Sequence, residues 1–273
     1  MIDLAPNHKI GLSVPNPILL AGGTIGYGEA MHKAVQSQLL GGVVVGPIMQ
    51  RSSAGVPPPR LAETYSGMIL NSGLQNRGIS AVIKRFASQW PKLGCPVIAQ
   101  VADSEPHAVA RVAERLDRIS SIDGLELLPP RQLEPYQLSA LIQAVSHHSD
   151  LPIWVKLPLQ SRSQLAQVAV EAGASALVIG QPHFGTTFHQ KSNKPLTGML
   201  FGPSTFALML AGLSAIADQK LPCALIACGG IHTMEQVRQA RRCGAQAVQI
   251  DSAVWIEPGL PAHFVRILAE ENS

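Results

Sequence analysis

CALIACGGIHTMEQVRQARRCGAQAVQID, residues 223–251, contains the repeating unit that decides the fold. An apolar run ends in two glycines, an amphipathic segment follows from Thr233, and a second apolar run ends at Asp251. A strand, a helix and a second strand, with strands that are nearly all apolar, are typical of a parallel sheet covered by helices. The unit therefore predicts an α/β fold.

The same pattern recurs along the chain. Its eight apolar runs are ILLAGG at 18, GGVVVG at 41, PVIAQV at 96, GLELL at 124, PIWVKL at 152, ALVIG at 176, CALIACGG at 223 and AVQID at 247. Eight strands alternating with amphipathic segments predict a closed (β/α)8 barrel, or TIM barrel. We expect one domain over residues 1–273, with a short N-terminal β-hairpin, around HKIGLSV and NPILL, across the barrel floor.

Charge and cysteine content argue against two kinds of partner. The net charge of +3 comes from scattered Lys and Arg without a basic run, so nucleic-acid binding is not expected. The four cysteines, Cys95, Cys223, Cys228 and Cys243, have neither a C-x-x-C pair nor metal-ligand spacing. We therefore expect reduced thiols, no bound metal and a cytoplasmic protein.

The apolar segments are too short for a membrane protein. The N-terminal stretch MIDLAPNHKIGLSV lacks the pattern of a signal peptide. The longest apolar run, FALMLAGLSAIA from Phe206, falls short of the ~20 residues that a membrane span needs. Because this run has no polar face, it favours a homodimer interface, and a helix covered by its own neighbours is the alternative.

The carboxyl ends of the strands are where such barrels bind their ligands. Gly229 and Gly230 open the helix after the seventh strand, so they can present N–H groups to a phosphate or can simply form a tight turn. Asp251 ends the eighth strand, and a carboxylate ~5 Å from a phosphate costs about 3 kcal/mol per unit charge. Either its side chain turns away or the ligand differs.

Two further strand ends carry a ligand-binding signal. Lys156 ends the fifth strand within PIWVKL, where an ammonium is costly unless it meets an anion or an electron-rich cofactor. A lysine that extends from the strand end to water is the alternative. The first strand ends in AGGTIGYG, whose small residues allow a planar ring close to the backbone. The long irregular stretch after the second strand, 46–78, is expected to be a functional loop over the upper face.

Seven segments occur in one order, NPILLAGGTIGYG, GVPPPRLAET, GMILNSGLQNRG, PVIAQVAD, PIWVKL, TGMLFGP and CGGI. From Ile10 to about Ala253 the chain thus resembles the class 1 dihydroorotate dehydrogenases, FMN-dependent barrels that oxidise dihydroorotate to orotate in pyrimidine synthesis. The resemblance implies a flavoprotein oxidoreductase that binds FMN and a small anionic cyclic substrate. The electron acceptor stays open among fumarate, a nicotinamide-linked partner subunit, and neither.

The resemblance also implies roles for individual positions. The cofactor positions are Ala21, Gly22, Gly46, Gln100, Lys156, Gly202, Gly229, Gly230 and Ser252. The substrate positions are Asn71, Asn76 and Gln181. Within the first group Lys156 corresponds to the lysine beside the flavin ring, where a cation stabilises the reduced, anionic flavin.

The departures from the family pattern lie in the chemistry. Gly46 replaces a lysine that contacts flavin and substrate, and Gln100 and Gln181 replace asparagines. The Gly-Thr pair of the phosphate site is Asp251 and Ser252. The segment that holds the catalytic Ser or Cys in the family has Leu128, Pro130 and Arg131. The usual base is therefore absent, and Arg131 stands at its position.

Other residues offer partial replacements. His183 and His189 in GQPHFGTTFH are expected at the same face, and His183 is a candidate general base, with a solvated or turn-capping histidine as the alternative. Arg131 and Arg60 suit an anionic ligand, or are simply exposed. His147 and His148 are better explained by a helix C-terminus.

Three functions remain open at this point. The first is an FMN-binding oxidoreductase with a changed substrate or proton acceptor. The second is a non-catalytic barrel that has a binding or assembly role and no flavin, which the carboxylate of Asp251 favours. The third is full dihydroorotate dehydrogenase activity through a rebuilt site.

Overall fold

The computed structural model describes residues 1–29, 32–158 and 162–271. Its strands are β1 Ile2–Asp3, β2 Ser13–Val14, β3 Ile18–Leu20, β4 Gly42–Ile48, β5 Leu61–Thr64, β6 Gly67–Leu70, β7 Val97–Val101, β8 Gly124–Leu127, β9 Ile153–Pro158, β10 Ala176–Gln181, β11 Phe184–Phe188, β12 Pro195–Phe201, β13 Ala224–Cys228 and β14 Ala247–Ile250. Its α-helices are α1 His32–Val35, α2 Ile79–Phe86, α3 Pro106–Asp117, α4 Pro135–Ser146, α5 Arg162–Glu171, α6 Phe206–Ala217, α7 Met234–Arg242, α8 Ala253–Ile256 and α9 Leu260–Glu271. Short 3-10 helices cover Ser37–Leu39, Trp90–Leu93 and Pro203–Thr205.

Eight of the strands close into a parallel barrel. Around the barrel the order is β3, β4, β7, β8, β9, β10, β13 and β14, which then pairs with β3 again. Neighbours in the barrel are therefore neighbours in the chain, as in any right-handed β/α repeat. Each of the eight apolar runs forms one of these strands, so the predicted (β/α)8 barrel is confirmed.

Alternation along the barrel strands separates two cores. In β9, Val155 and Leu157 pack outward in the core between barrel and helices, whereas Trp154 points into the barrel. This follows from the two-residue period of a strand. The same period places Lys156, two residues after Trp154, on the inner side.

The N-terminal hairpin closes the lower end of the barrel. β1 and β2 pair antiparallel, and Leu4 belongs to the same buried cluster as Trp154. The indole Nε1 of Trp154 donates a hydrogen bond to the Leu4 carbonyl oxygen at 3.2 Å. The predicted hairpin is thus present, but NPILL supplies the barrel strand β3 instead of an arm of the hairpin.

A second sheet lies in the loops at the other end. Its antiparallel strand order is β11, β12, β6, β5, and β12 pairs with β6 through Met199↔Leu70 and Phe201↔Met68. The stretch after the second barrel strand was predicted to be irregular, and this was wrong for 61–64 and 67–70. We call these four strands the mouth sheet.

The helices surround the barrel as the amphipathic segments predicted. Thr233 caps α7 by accepting the N–H of Gln236, and α7 buries Val237 and Ala240. Helix α6 buries Phe206, Met209 and Leu213 and leaves Leu208 exposed. Among the described helices none is long and apolar enough to cross a membrane. The assignment of the chain to one domain stays a prediction.

Candidate active site at the barrel mouth

A large cavity opens at the carboxyl ends of the barrel strands. Its volume is about 1500 Å³, and loops after the first six barrel strands and after the eighth contribute to its wall. Pockets for one small ligand usually measure ~300–1,000 Å³. The cavity therefore has room for a planar cofactor together with a small substrate. Phe201 and Trp255, in edge-to-face contact at 5.6 Å between ring centroids, form an aromatic part of the wall that the sequence analysis missed.

The floor of the cavity is a network of buried polar side chains. Lys156 Nζ donates to Gln249 Oε1 at 2.9 Å and lies 3.5 Å from Glu126 Oε1. The Glu126 carboxylate also accepts from Gln100 Nε2 at 2.7 Å and from Gln249 Nε2 at 2.5 Å. None of the four residues is more than 4% exposed. The ammonium is buried because the protein itself supplies its counter-charge.

The electrostatics of the floor keep Lys156 charged. Burial alone would lower the pKa of Lys156, but Cys228 and Glu126 outweigh it, and the pKa is raised above its usual value. Burial also raises the pKa of the Cys228 thiol to about 12, so the thiol is neutral at physiological pH. Glu126 is therefore the effective counter-charge, and the cavity floor presents a stable ammonium group.

Sequence reasoning found Lys156 but missed Glu126 and Gln249. Each is a single polar residue within an apolar strand, at a position that faces the barrel interior. That signal is the same one that identified Lys156. Applied to all eight strands, it would have found the whole floor.

The expected cofactor positions on the first three barrel strands meet at this cavity. Ala21, Gly22, Gly46 and Gln100 line it together with Lys156. The Gln100 amide lies over Gly22, where a Cβ atom would come within 2.4 Å of Nε2. At Gly46, φ is +133° and a Cβ would lie 2.8 Å from the Gln100 carbonyl oxygen. No lysine side chain fits this backbone at Gly46.

The expected phosphate positions cluster at a neighbouring point of the barrel. Gly229 lines a second, small cavity of about 10 Å³ with Thr205, Met209 and Asp251. Gly230 packs against the start of α6, since a Cβ there would lie 2.4 Å from the Phe206 backbone nitrogen.

Two more expected phosphate positions lie on loops of the same end. Gly202, with φ of +128°, precedes the 3-10 turn that leads into α6. Ser252 follows Asp251, and its Oγ donates to the Asp251 carboxylate at 3.2 Å. The Asp251 carboxyl group stays at this end of the barrel, where it interacts with Lys156 and His232, and the residue lines both the large and the small cavity.

The three substrate positions differ in their surroundings. Asn71 and Gln181 line the large cavity, and Asn71 Nδ2 donates to the Thr197 carbonyl oxygen. Gln181 is 3% exposed, and its Nε2 donates to Pro129, while its Oε1 has no hydrogen-bond partner among the described residues. Asn76 is buried within the loop, where its Oδ1 accepts the Gly78 N–H. Substrate contact by any of the three stays a prediction.

The segment that corresponds to the family's catalytic Ser or Cys follows β8 and forms part of the cavity wall. Leu128, Pro130 and Arg131 all line the cavity. The Arg131 guanidinium donates to the Pro182 carbonyl oxygen and lies 5.0 Å from the ring centre of Phe184. Burial lowers the pKa of Arg131. Arg60 instead donates to the carbonyl oxygens of Val56 and Ala54 and to Gln75, and thus braces its own loop.

The histidines separate into three settings. His183 lines both cavities. His189 lies in the turn between β11 and β12, where its Nδ1 is 2.9 Å from Ser192 Oγ; it belongs to the same loop region as His183 but is not among the described residues that line the two cavities. His147 is the C-cap of α4 and His148 Nδ1 lies 2.9 Å from the Ala144 carbonyl oxygen, in agreement with the helix-terminal interpretation.

The fold and the cavity define a (β/α)8 barrel with a large cavity at its mouth. The family model described as dihydroorotate dehydrogenase matches residues 6–270. The chain belongs to the dihydroorotate dehydrogenase family, and the resemblance inferred from the sequence is confirmed.

Curated relatives agree over nearly the full length. One, from Thermodesulfovibrio yellowstonii, is 32% identical in an alignment 286 positions long that covers 97% of this chain and 94% of the relative. Another, from Desulforudis audaxviator, is 31% identical in an alignment 267 positions long that covers 92% of this chain and 87% of the relative. A third, from Anoxybacillus flavithermus, is 31% identical in an alignment 264 positions long that covers 91% of this chain and 84% of the relative. All three are named dihydroorotate dehydrogenase B (NAD(+)), catalytic subunit.

Proposed function

We propose that the chain is a flavin-dependent oxidoreductase of the dihydroorotate dehydrogenase type. Its substrate is a small anionic cyclic molecule with an oxidisable CH–CH bond, dihydroorotate or a relative. The observation that carries the proposal is the buried ammonium of Lys156 in the floor of a cavity of about 1500 Å³. The burial of Lys156 is explained by Glu126, but its place in the cavity wall points to a ligand.

The part of the large cavity next to Lys156 suits a flavin ring. A bound flavin supplies the acceptor for a hydride, and a cation near the ring favours its reduced, anionic form. Lys156 offers that charge, and the hydrogen bond to Gln249 fixes its direction. FMN is the flavin that family membership suggests. The carboxyl group of Asp251, however, lies at the turn where the phosphate group of FMN is expected.

The part of the cavity wall that contains Arg131 and Gln181 suits the substrate. Arg131 provides a guanidinium for a carboxylate, and such charge-assisted contacts are strong in a partly buried site. Gln181 Oε1 is a buried acceptor that has no hydrogen-bond partner within the described part of the chain, so it can accept an N–H of a cyclic amide. Together they match the two polar features of a dihydroorotate-like ring.

The direct test is the visible absorption spectrum of the purified full chain, with mass identification of what denaturation releases. A bound flavin in near-equal amount to protein supports the proposal. A colourless protein that takes up neither FMN nor riboflavin contradicts it. Complementation of a strain without its own dihydroorotate dehydrogenase then asks whether dihydroorotate itself is the substrate.

The proton that leaves with the hydride requires a base. His183 lines the cavity, and we propose it as the acceptor in place of the family Ser or Cys. His183→Ala should lower kcat by about 10²- to 10⁴-fold. His189→Ala, in the hairpin turn outside the cavity, is the matched control and should keep its turnover. Equal kcat in wild type and His183→Ala removes this role.

A non-catalytic barrel is the second candidate, favoured by the carboxyl group of Asp251 at the phosphate turn. It predicts no flavin and no effect of cavity variants on any oxidation. Stoichiometric flavin in the purified protein decides against it.

Two partners follow from the proposed function. The relatives are named as catalytic subunits of an NAD(+)-linked enzyme, so an electron-transfer subunit is the proposed acceptor. A homodimer through the exposed side of α6, around Leu208, is the other proposal. Sedimentation at micromolar concentration should give a dimer that Leu208→Glu converts to a monomer; a monomeric wild type contradicts it.

A further inference from the structure

Asp251 is held inside the site by the turn that follows β14. Its side chain is 6% exposed. Its carboxylate accepts the backbone N–H of Ser252 and, at 3.2 Å, the Ser252 hydroxyl. These are donors that a turn at the end of a barrel strand would otherwise present to a ligand anion. In this chain they are already used by a carboxyl group of the protein.

The space between this carboxyl group and the glycine turn is small. The cavity that it shares with Gly229 measures about 10 Å³, which is enough for about one water molecule. On the other side, Gly230 packs directly against the first residue of α6, Phe206. A phosphate group therefore has no room between the glycine turn and α6 while Asp251 keeps its position.

Once the Asp251 carboxyl group is ionised, charge acts in the same direction as space. An ionised carboxylate ~5 Å from a phosphate weakens binding on the order of 100-fold per unit charge. Lys156 and His232 are the basic groups that act on Asp251, and the neighbouring Cys228 is neutral. Lys156 is already paired with Glu126. The site thus has little positive charge left for a phosphate dianion.

We propose that the Asp251 carboxyl group takes the place of the ligand phosphate, so that the mouth cavity selects riboflavin, a flavin without a phosphate, over FMN. The inference rests on the proposed function, because it requires a flavin ring above Lys156. It assigns Asp251 as the residue that determines cofactor specificity.

The test is a fluorescence titration of the full chain, freed of bound ligand, with riboflavin and with FMN. The wild type should bind riboflavin at least about 10-fold more tightly than FMN. Asp251→Gly removes both charge and bulk and should reverse the preference. Asp251→Asn removes the charge but keeps the size, so it should reduce the preference without reversing it, and it serves if the glycine variant does not fold.

Asp103→Asn is the matched control. Asp103 is another buried aspartate at the end of a barrel strand, where it accepts the Gln50 N–H. This variant should leave the ratio of the two affinities unchanged. Wild-type protein that binds FMN as tightly as riboflavin, or a ratio insensitive to Asp251, overturns the inference but leaves the flavin proposal standing. Failure of the wild type and the Asp251 variants to bind either flavin overturns the proposed function itself.

Discussion

The floor of the large cavity is suited to a negatively charged ligand group, whereas the turn after β14 is not. At the floor, Lys156 presents an ammonium whose buried counter-charge, Glu126, is built into the barrel. At the turn after β14, Asp251 adds a buried carboxyl group whose pKa is raised by burial in spite of Lys156 and His232 nearby. The residues come from different strands, so one end of a barrel site can change while the other keeps its chemistry.

The largest effect, a loss of stability, is expected from breaking the ion pair between Lys156 and Glu126 at the cavity floor. Lys156→Met leaves Glu126 buried without its partner, which typically costs about 3–5 kcal/mol in the free energy of unfolding. Urea denaturation followed by circular dichroism measures the loss. The double variant Lys156→Met with Glu126→Gln removes both charges and should recover most of it. A single variant as stable as the wild type would show that the pair does not stabilise the floor.

The second largest effect is expected in substrate binding, from Arg131 in the cavity wall after β8. Arg131→Met removes the guanidinium proposed for the substrate anion, and a lost charge-assisted hydrogen bond of about 1.5–3 kcal/mol corresponds to a rise in KM of about 10- to 100-fold. The change should appear in KM more than in kcat. Arg60→Met, outside the cavity, should alter the stability of its loop and leave KM near the wild-type value. Equal KM shifts in both variants would remove the assignment.

The smallest effect is a pH dependence of protein stability that arises from Asp251 at the turn after β14. The folded pKa of Asp251 is raised above its ordinary value of 3.8, with Lys156, His232 and Cys228 as its titratable neighbours. Stability from this group is therefore fully present below the unfolded pKa and is lost as pH rises through the folded pKa.

Asp251→Asn should remove that loss. Relative to the wild type, its urea midpoint should be higher at pH 8 than at pH 4. Asp218→Asn, at an exposed residue after α6, is the control and should show the same midpoint difference between the two pH values as the wild type. If Asp251→Asn also parallels the wild type at both pH values, the Asp251 carboxyl group does not titrate differently in the folded state.

The barrel could be predicted because its signal is local. Each apolar run and each amphipathic segment carries its own period, so the eight strands were placed without knowledge of their partners. The mouth sheet could not, because it forms where β6, itself paired with its neighbour β5, pairs with β12, more than 120 residues later in the chain. Short strands of this kind carry no period of their own.

The candidate site shows the same division. Lys156 was identified because one charge in an apolar strand needs an explanation. Glu126 and Gln249 carry the same signal, but their pairing with Lys156 could not be predicted, because Glu126 lies 30 residues from Lys156 and Gln249 lies 123 residues from Glu126, distances that no spacing rule covers. The different settings of His183 and His189 could not be predicted, because a loop histidine looks the same in sequence whether it lines a cavity or lies in a hairpin turn.

The mouth sheet has a consequence for how this family member can vary. Its strands β5 and β6 follow the second barrel strand, and β11 and β12 follow the sixth, which stands opposite in a ring of eight. Loss of either pair would leave an unpaired edge on the other, an arrangement prone to aggregation. The two loops therefore act as one structural unit, and a variant that remodels the entrance by shortening one of them has to cover the exposed edge of the other.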